Sequence, residues 1–288
     1  MTPLSFDRFG PMIPAGPVVL SVPHAGRDYP AALQAALLVP LAAVRSLEDR
    51  HVDRVALAAL GDEILLVQRQ ARAWIDLNRR EDERDPAVDE GAAGHAGRTG
   101  AAGAKLRNGL GLVPRRANGR GELWRRRWTD AEIAARVAAD HRPYHAALTD
   151  TLAAARRRFG TAVLVDLHSM PPLPGVAPAR IVVGDRHETS ADAALAGIVE
   201  RIAAEHGVPS ARNRPYAGGH VIERHGRPAD GIHAVQIELD RSLYLDAALD
   251  RPVADGVARM GVLIRAVLDE ISHVASTGLL TGAILAAE

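Results

Sequence analysis

Two histidines in this chain directly follow apolar, β-branched runs and sit among tight-turn residues. His24 closes the run of SVPHAG. His168 closes that of AVLVDLHSMPP, two positions after Asp166 and just before two prolines. Two imidazoles delivered by separate strands, joined by one carboxylate, make a three-ligand zinc site whose fourth position stays open for water. Asp166 shares a strand face with His168 through the two-residue period, so it is placed to support such a site. The prolines make the chain leave the strand at once, which keeps the space beside His168 clear. Most lone histidines are hydrogen-bonded core or surface residues, and His51, His95, His141, His145, His187, His206 and His273 are read that way.

On spacing alone the third ligand stays open. SLEDRHVDRV offers Glu48, Asp49 and Asp53. As one helix it puts Asp49 and Asp53 on a shared face at i, i+4 and turns His51 away from both. The same stretch, with Arg45, Arg50 and Arg54 at helical spacing, also fits a solvated charged face. In HAVQIELDRSLY, Glu238 alternates with Val235, Ile237 and Leu239, so it is either a surface acid or a general base aimed into a cleft. DLNRR carries Asp76, Asn78 and Arg79, and an arginine can grip a carboxylate in bidentate fashion. GGHVIERHG adds His220, Arg224 and His225 behind two glycines that let backbone approach a ligand closely. Arg224 fits a surface charge equally well.

The elements that must position these groups follow from hydrophobic period. Strands are expected at 18–22, 63–68, 72–78, 161–168, 179–185 and 231–239. Helical pattern covers 31–60, broken at Pro40, then 129–158 from a Thr129–Glu132 capping box, 188–206 and 253–272. This alternation predicts an α/β fold of three layers, αβα, on a mixed, largely parallel sheet with helices on both faces. Ligands of such sheets gather at the carboxyl ends of the strands. His24, Asp76 to Arg79, Asp166 to Ser169 and Glu238 all stand at strand ends. Residues 81–127 are rich in Gly, Ala and Arg without periodicity, which reads as a long irregular loop of the functional or mobile kind. No repeat or linker interrupts the chain, so one domain over 1–288 is expected.

Composition narrows the chemistry. There are no cysteines, which rules out thiol catalysis, disulfides and thiolate metal sites, so any metal must use His, Asp and Glu. The net charge is +0, with 35 basic and 35 acidic residues, and nothing in it points to nucleic acid or a membrane surface. No window of the sequence reads as a signal peptide or a membrane span, so a cytoplasmic enzyme is the default expectation.

Taken in order, SVPHAG, ARAWIDLNRR, RPYHAAL, DLHS, GGHVIERHG and HAVQIELDRSLY resemble the N-formylglutamate amidohydrolase family over about residues 16–245. That family is similar in fold to the zinc carboxypeptidases and aspartoacylases, which implies a zinc-exopeptidase type of fold. The resemblance implies His24 and His168 as zinc ligands, Glu238 as the catalytic glutamate and Asp76 as the aspartate that orients the first histidine. It also implies Arg79, with Asn78 beside it, as the grip on a substrate carboxylate. Carboxypeptidases carry an acid three residues after the first histidine, where this chain has Arg27. Members of the amidohydrolase family carry an aspartate at the position of Asp49, so the resemblance selects Asp49 over Asp53 and Asp28. The implied activity is zinc-dependent hydrolysis of a small N-acyl amino acid, N-formyl-L-glutamate first. Arg72 would help the oxyanion, and His220, Arg224 and His225 would supply a second grip. The rivals are another acyl-amino-acid deacylase or carboxypeptidase-like hydrolase, and a metal-free binding protein.

Overall fold

Continuous apolar runs make the strands. β1 (Phe6–Phe9), β2 (Val18–Val22) and β3 (Ile64–Gln68) come first, then a short antiparallel pair, β4 (Arg116–Ala117) with β5 (Arg120–Glu122). β6 (Ala162–Met170), β7 (Ile181–Gly184), β8 (Ser210–Arg212) and β9 (Ile232–Asp240) complete the set. The structure, a computed structural model, describes residues 4–94, 105–117 and 120–280. Seven strands form one sheet in the order β1-β3-β2-β6-β9-β7-β8. β2 runs parallel to β3 and to β6, β6 parallel to β9, and β7 parallel to β8, while β7 and β9 are antiparallel. The expected α/β class with a mixed, largely parallel sheet is therefore the observed one. Every residue of β2, β3, β6, β7 and β9 is buried, as strands covered on both faces must be.

Helices among the described residues include α1 (Ala31–Ala36), α2 (Leu41–Val44), α3 (Val52–Ala59), α4 (Asp130–Arg136), α5 (Arg142–Phe159), α6 (Ala193–Glu205), α7 (His220–His225) and α8 (Ala254–Ser276). The capping box of α4 forms as expected. The Glu132 N–H donates to Thr129 Oγ1 at 3.2 Å, and the Thr129 N–H donates to Glu132 Oε2 at 2.8 Å. The chain folds into two compact units, each discontinuous in sequence. The first gathers Met1–Asp7, Pro23–Asp49 and Gln68–Ala146. The second gathers Arg8–Val22, Arg50–Val67 and Ala147–Glu288, and so holds β2, β6, β7, β8 and β9.

Two local expectations are corrected. Residues 45–54 are not one helix: a 3-10 turn over Arg45–Leu47 ends at extended Glu48, and α3 begins only at Val52, after His51 in a left-handed conformation. Asp49 and Asp53 therefore share no helical face. Glu48 and Asp49 are buried rather than part of a solvated face. Residues 72–78 are not a strand but a series of turns, closed by Trp74 N–H to Ala71 O at 2.8 Å and Arg79 N–H to Asp76 O at 3.2 Å. Their backbone finds other partners. The Asp76 N–H donates to Leu112 O at 2.8 Å, and His145 and His141 donate from Nε2 to Leu77 O and Arg79 O, each at 2.9 Å. Ala73, Ile75 and Leu77 are all buried, so the alternation that reads as a strand reports core packing of an irregular segment. The Arg136 guanidinium lies 3.6 and 3.7 Å from the ring centres of Trp74 and Trp128 and donates to Trp74 O at 3.0 Å, which pins the start of this segment.

Of the long segment 81–127, the described part contains a 3-10 stretch over Glu90–Gly94 and the β4–β5 pair. Residues 95–104 of its glycine-rich half, His95 included, lie outside the described residues.

Candidate active site

In the first unit, His24 is the centre of a buried polar cluster. It stands two residues beyond the end of β2, and its carbonyl accepts from the Asp49 N–H at 3.0 Å, which draws residues 25 apart in sequence together. Its Nε2 lies 2.7 Å from Asp76 Oδ1. Burial raises the carboxyl pKa of Asp76, but the charges of Arg72, His24 and Arg79 outweigh that and hold it well below the ordinary aspartate range. An ionised carboxylate only accepts, so Nε2 is the donor in this bond and Nδ1 is the ring nitrogen turned away from Asp76. Nδ1 stands 3.6 Å from Asp49 Oδ2. Neighbouring donors of a tetrahedral zinc lie roughly 3.3 Å apart, given Zn–N distances near 2.0 Å. The other two acids weighed for this role sit differently: Asp28 is mostly exposed beside Arg69, and Asp53 is half-buried in the first turn of α3.

Asp76 organises the cations around it. Arg72 Nε donates to Asp76 Oδ2 at 2.8 Å, Arg79 Nε approaches the same oxygen at 3.9 Å, and the Asn78 N–H donates to Oδ1 at 2.9 Å. Arg79 is buried, and its Nε and Nη1 donate to Leu110 O and Asn78 O, each at 2.7 Å. Among the described residues Nη2 makes no hydrogen bond, which leaves it as a donor for an anion. Gly26, two residues past His24, has no room for a side chain, because a Cβ there would come within 2.1 Å of Gln70 O. Gly26→Ala is expected to lower unfolding free energy by about 1–3 kcal/mol in urea melts, since backbone must shift to admit the methyl. A loss under about 0.5 kcal/mol would mean that this turn has slack.

In the second unit, the carboxyl ends of β6 and β9 carry the remaining groups. His168 Nε2 lies 2.7 Å from Asp166 Oδ2, both buried, so the imidazole is held as His24 is, with Nδ1 facing away from its carboxylate. His168 pairs in register with Glu238 across the parallel β6–β9 ladder. Glu238 is 9 % exposed and thus no surface acid. Gln236 shares its strand face. The Gly219 N–H donates to Gln236 Oε1 at 3.0 Å, which fixes the amide so that Nε2 donates to Glu238 Oε1 at 2.8 Å. Gly219 belongs to the Gly-Gly-His stretch, so those glycines serve this relay. Of the residues expected to form a second grip, Arg224 is exposed on α7 and His220 Nδ1 lies 3.6 Å from Glu223. His225 is buried, and its pKa is pushed down to about 3 by burial and by the Arg224, His220 and Arg227 charges, so it is neutral at pH 7.

Sequence reasoning missed two residues here. Gln236 carried a signal, its i−2 relation to Glu238 on one strand face. Lys105 carried another: of 35 basic residues it is the only lysine. It is half-buried in the first unit, within the electrostatic reach of Arg79, Asp76, Arg72 and Glu83.

The fold is that of an α/β protein whose buried histidines and carboxylates stand at or just beyond the carboxyl ends of parallel strands, where such sheets bind ligands. The profile of the N-formylglutamate amidohydrolase family matches residues 16–245, and the chain belongs to that family. It is 31% identical over 239 residues to an N-formylglutamate deformylase of Pseudomonas putida, covering 80% of this chain and 82% of the relative. It is 29% identical over 238 residues to one of Pseudomonas aeruginosa, with the same coverage. The crystal structure of an N-formylglutamate amidohydrolase from Ralstonia eutropha JMP134 superposes with a TM-score of 0.85 at 33% identity, covering 96% of this chain and 99% of that one. No helix among the described residues is long and apolar enough to cross a membrane.

Proposed function

We propose that this protein hydrolyses N-formyl-L-glutamate to formate and L-glutamate with one zinc ion held by His24, Asp49 and His168. The observation that carries the reading is the shared preparation of the two histidines. Each has Nε2 within 2.7 Å of a buried carboxylate, and His24 Nδ1 has Asp49 Oδ2 at 3.6 Å. Two nitrogens and one oxygen, without sulfur, fit a catalytic rather than a structural zinc set. Asp76 and Asp166 orient the imidazoles and raise their basicity as ligands. A zinc ion bound there would polarise the formyl carbonyl and acidify water.

The chain's own groups do the rest. The Glu238 carboxylate, held by Gln236, takes the proton of the water that attacks the formyl carbon. It then delivers that proton to the amide nitrogen as the C–N bond breaks. Arg72 supplies positive charge for the developing oxyanion, and Arg79, with Asn78 beside it, receives a substrate carboxylate through the guanidinium nitrogen left over. His220, Arg224 and His225 border the glycine relay to Gln236 rather than offering a matched cationic pair, so we assign them no direct contact with substrate. The test is formate release from N-formyl-L-glutamate, run beside N-acetyl-L-aspartate, before and after exhaustive chelation. Activity on the formyl substrate is expected to disappear with the metal and return with about one equivalent of zinc per chain. Full activity in metal-free protein would sink the metal reading, and turnover of the acetyl substrate alone would sink the substrate.

A further inference from the structure

Within the first unit, Arg72, Arg79 and Lys105 bring three positive charges to the neighbourhood of Asp76 and Glu83. Among these five groups alone, three cations against two carboxylates leave a surplus of one. Arg72 and Arg79 both lie against Asp76, at 2.8 and 3.9 Å. Among the described residues Lys105 makes no ion pair within 4 Å, although it is half-buried. Its place is set by backbone. The turn after it closes on Leu110 N–H to Lys105 O at 2.9 Å, and Leu110 O in turn accepts from Arg79 Nε at 2.7 Å. Two residues on, Leu112 O accepts from the Asp76 N–H at 2.8 Å, and the Leu112 N–H donates to Glu83 O at 2.7 Å. The lysine is thus tied through main chain to the segment that carries Asp76, Asn78 and Arg79.

The chain's usage sharpens the point. It places arginine at 34 of its 35 basic positions, on surfaces and in buried ion pairs alike, and keeps a lysine at one. A lysine differs from an arginine in being a compact point charge on a flexible stem rather than a planar fork. A partly desolvated ammonium without a counter-charge is unfavourable until an anion reaches it. In line with this, burial first, and then the charges of Arg79 and Arg72, push the Lys105 pKa down to about 8.

Resting on the N-formylglutamate reading above, we propose that Lys105 binds the side-chain carboxylate of the substrate and so selects a dicarboxylate over its neutral analogues. The α-carboxylate, common to every N-acyl amino acid, goes to Arg79, and the surplus charge at Lys105 is what an acidic side chain alone can use. The test compares kcat/KM for N-formyl-L-glutamate and N-formyl-L-glutamine in the wild type and in Lys105→Met. The loss of one charge-assisted hydrogen bond is expected to cost the variant roughly 10- to 100-fold on the glutamate substrate and little on the glutamine one. Equal losses on both substrates, or none on either, would overturn the assignment.

A second measurement uses the intact protein. As the sole lysine, Lys105 can be followed by its acylation with an amine-selective reagent, read by peptide mass. Glutarate is expected to slow that labelling several-fold and butyrate is not. If both monoanion and dianion fail to protect, Lys105 does not meet the carboxylate, even if Lys105→Met proves unstable. Should the wild type release no formate from either substrate, the substrate reading fails by itself and the glutarate result still decides Lys105.

Discussion

Glu238→Gln is expected to lower kcat for N-formyl-L-glutamate by about 10²- to 10⁴-fold, the usual contribution of a positioned general base, while leaving the fold and the metal content unchanged. The substitution is close to isosteric. Oε1 of the new amide can still accept from Gln236 Nε2, so the relay that begins at the Gly219 N–H stays intact. What disappears is the capacity to take a proton from the attacking water. KM should change little, since the carboxylate grips lie elsewhere. Three readouts separate this from other accounts. A fall in kcat with full zinc content and an unchanged melting temperature is the expected result. A fall accompanied by loss of zinc would make Glu238 a ligand rather than a base. A variant with wild-type kcat would remove Glu238 from the chemistry altogether.

That the site could be assembled from sequence at all depends on how parallel strands advertise themselves. Strands buried on both faces read as unbroken apolar runs, so the first polar residues after them stand out. β2 was expected at 18–22 and forms at Val18–Val22; the run before His168 forms β6, and Asp166 and His168 do share a face. Glu238 was legible by the same period, although its side was ambiguous: alternation alone does not distinguish a solvent face from a second buried one. The segment with Asp76 reads as a strand in sequence because Ala73, Ile75 and Leu77 pack inward at alternate positions, but it forms no ladder. Its backbone is satisfied by His141, His145 and Leu112, which lie 36 to 68 residues away, and no local pattern encodes such partners. Asp49 was equally hidden, since spacing offered a helix where the chain breaks at Glu48 and resumes after a left-handed His51. Only the family resemblance singled it out. Lys105 lies in a stretch without periodicity, where the signal was compositional, one lysine among arginines, rather than positional.

Asp76→Asn is expected to have the largest effect on stability together with a selective effect on the metal. The wild-type carboxylate is buried and serves His24, Arg72 and the Asn78 backbone, with Arg79 close by. Neutralising it leaves a buried guanidinium, Arg79, without its counter-charge, and breaking a buried pair from one side costs about 3–5 kcal/mol. The asparagine can keep the shape but presents one oxygen instead of two. Its amide nitrogen, if turned toward His24, offers a donor to a ring nitrogen that needs an acceptor. The imidazole tautomer then loses its fixed hand, and zinc affinity should fall by about 10- to 100-fold. Acid sensitivity supplies an independent check. The folded-state pKa of Asp76 is depressed well below the ordinary aspartate value of 3.8, so its contribution to stability is complete above that value and is lost as pH falls through the lower folded-state pKa. Asp76→Asn should therefore be less stable than the wild type at neutral pH, and the gap should narrow in urea melts taken below about pH 4. Two variants keep packing apart from charge. Leu164→Ala, in the middle of β6, should lose about 2–5 kcal/mol with a gap much the same at both pH values and zinc binding intact. If Asp76→Asn behaves like Leu164→Ala, Asp76 is a packing residue and the orientation of His24 has another source.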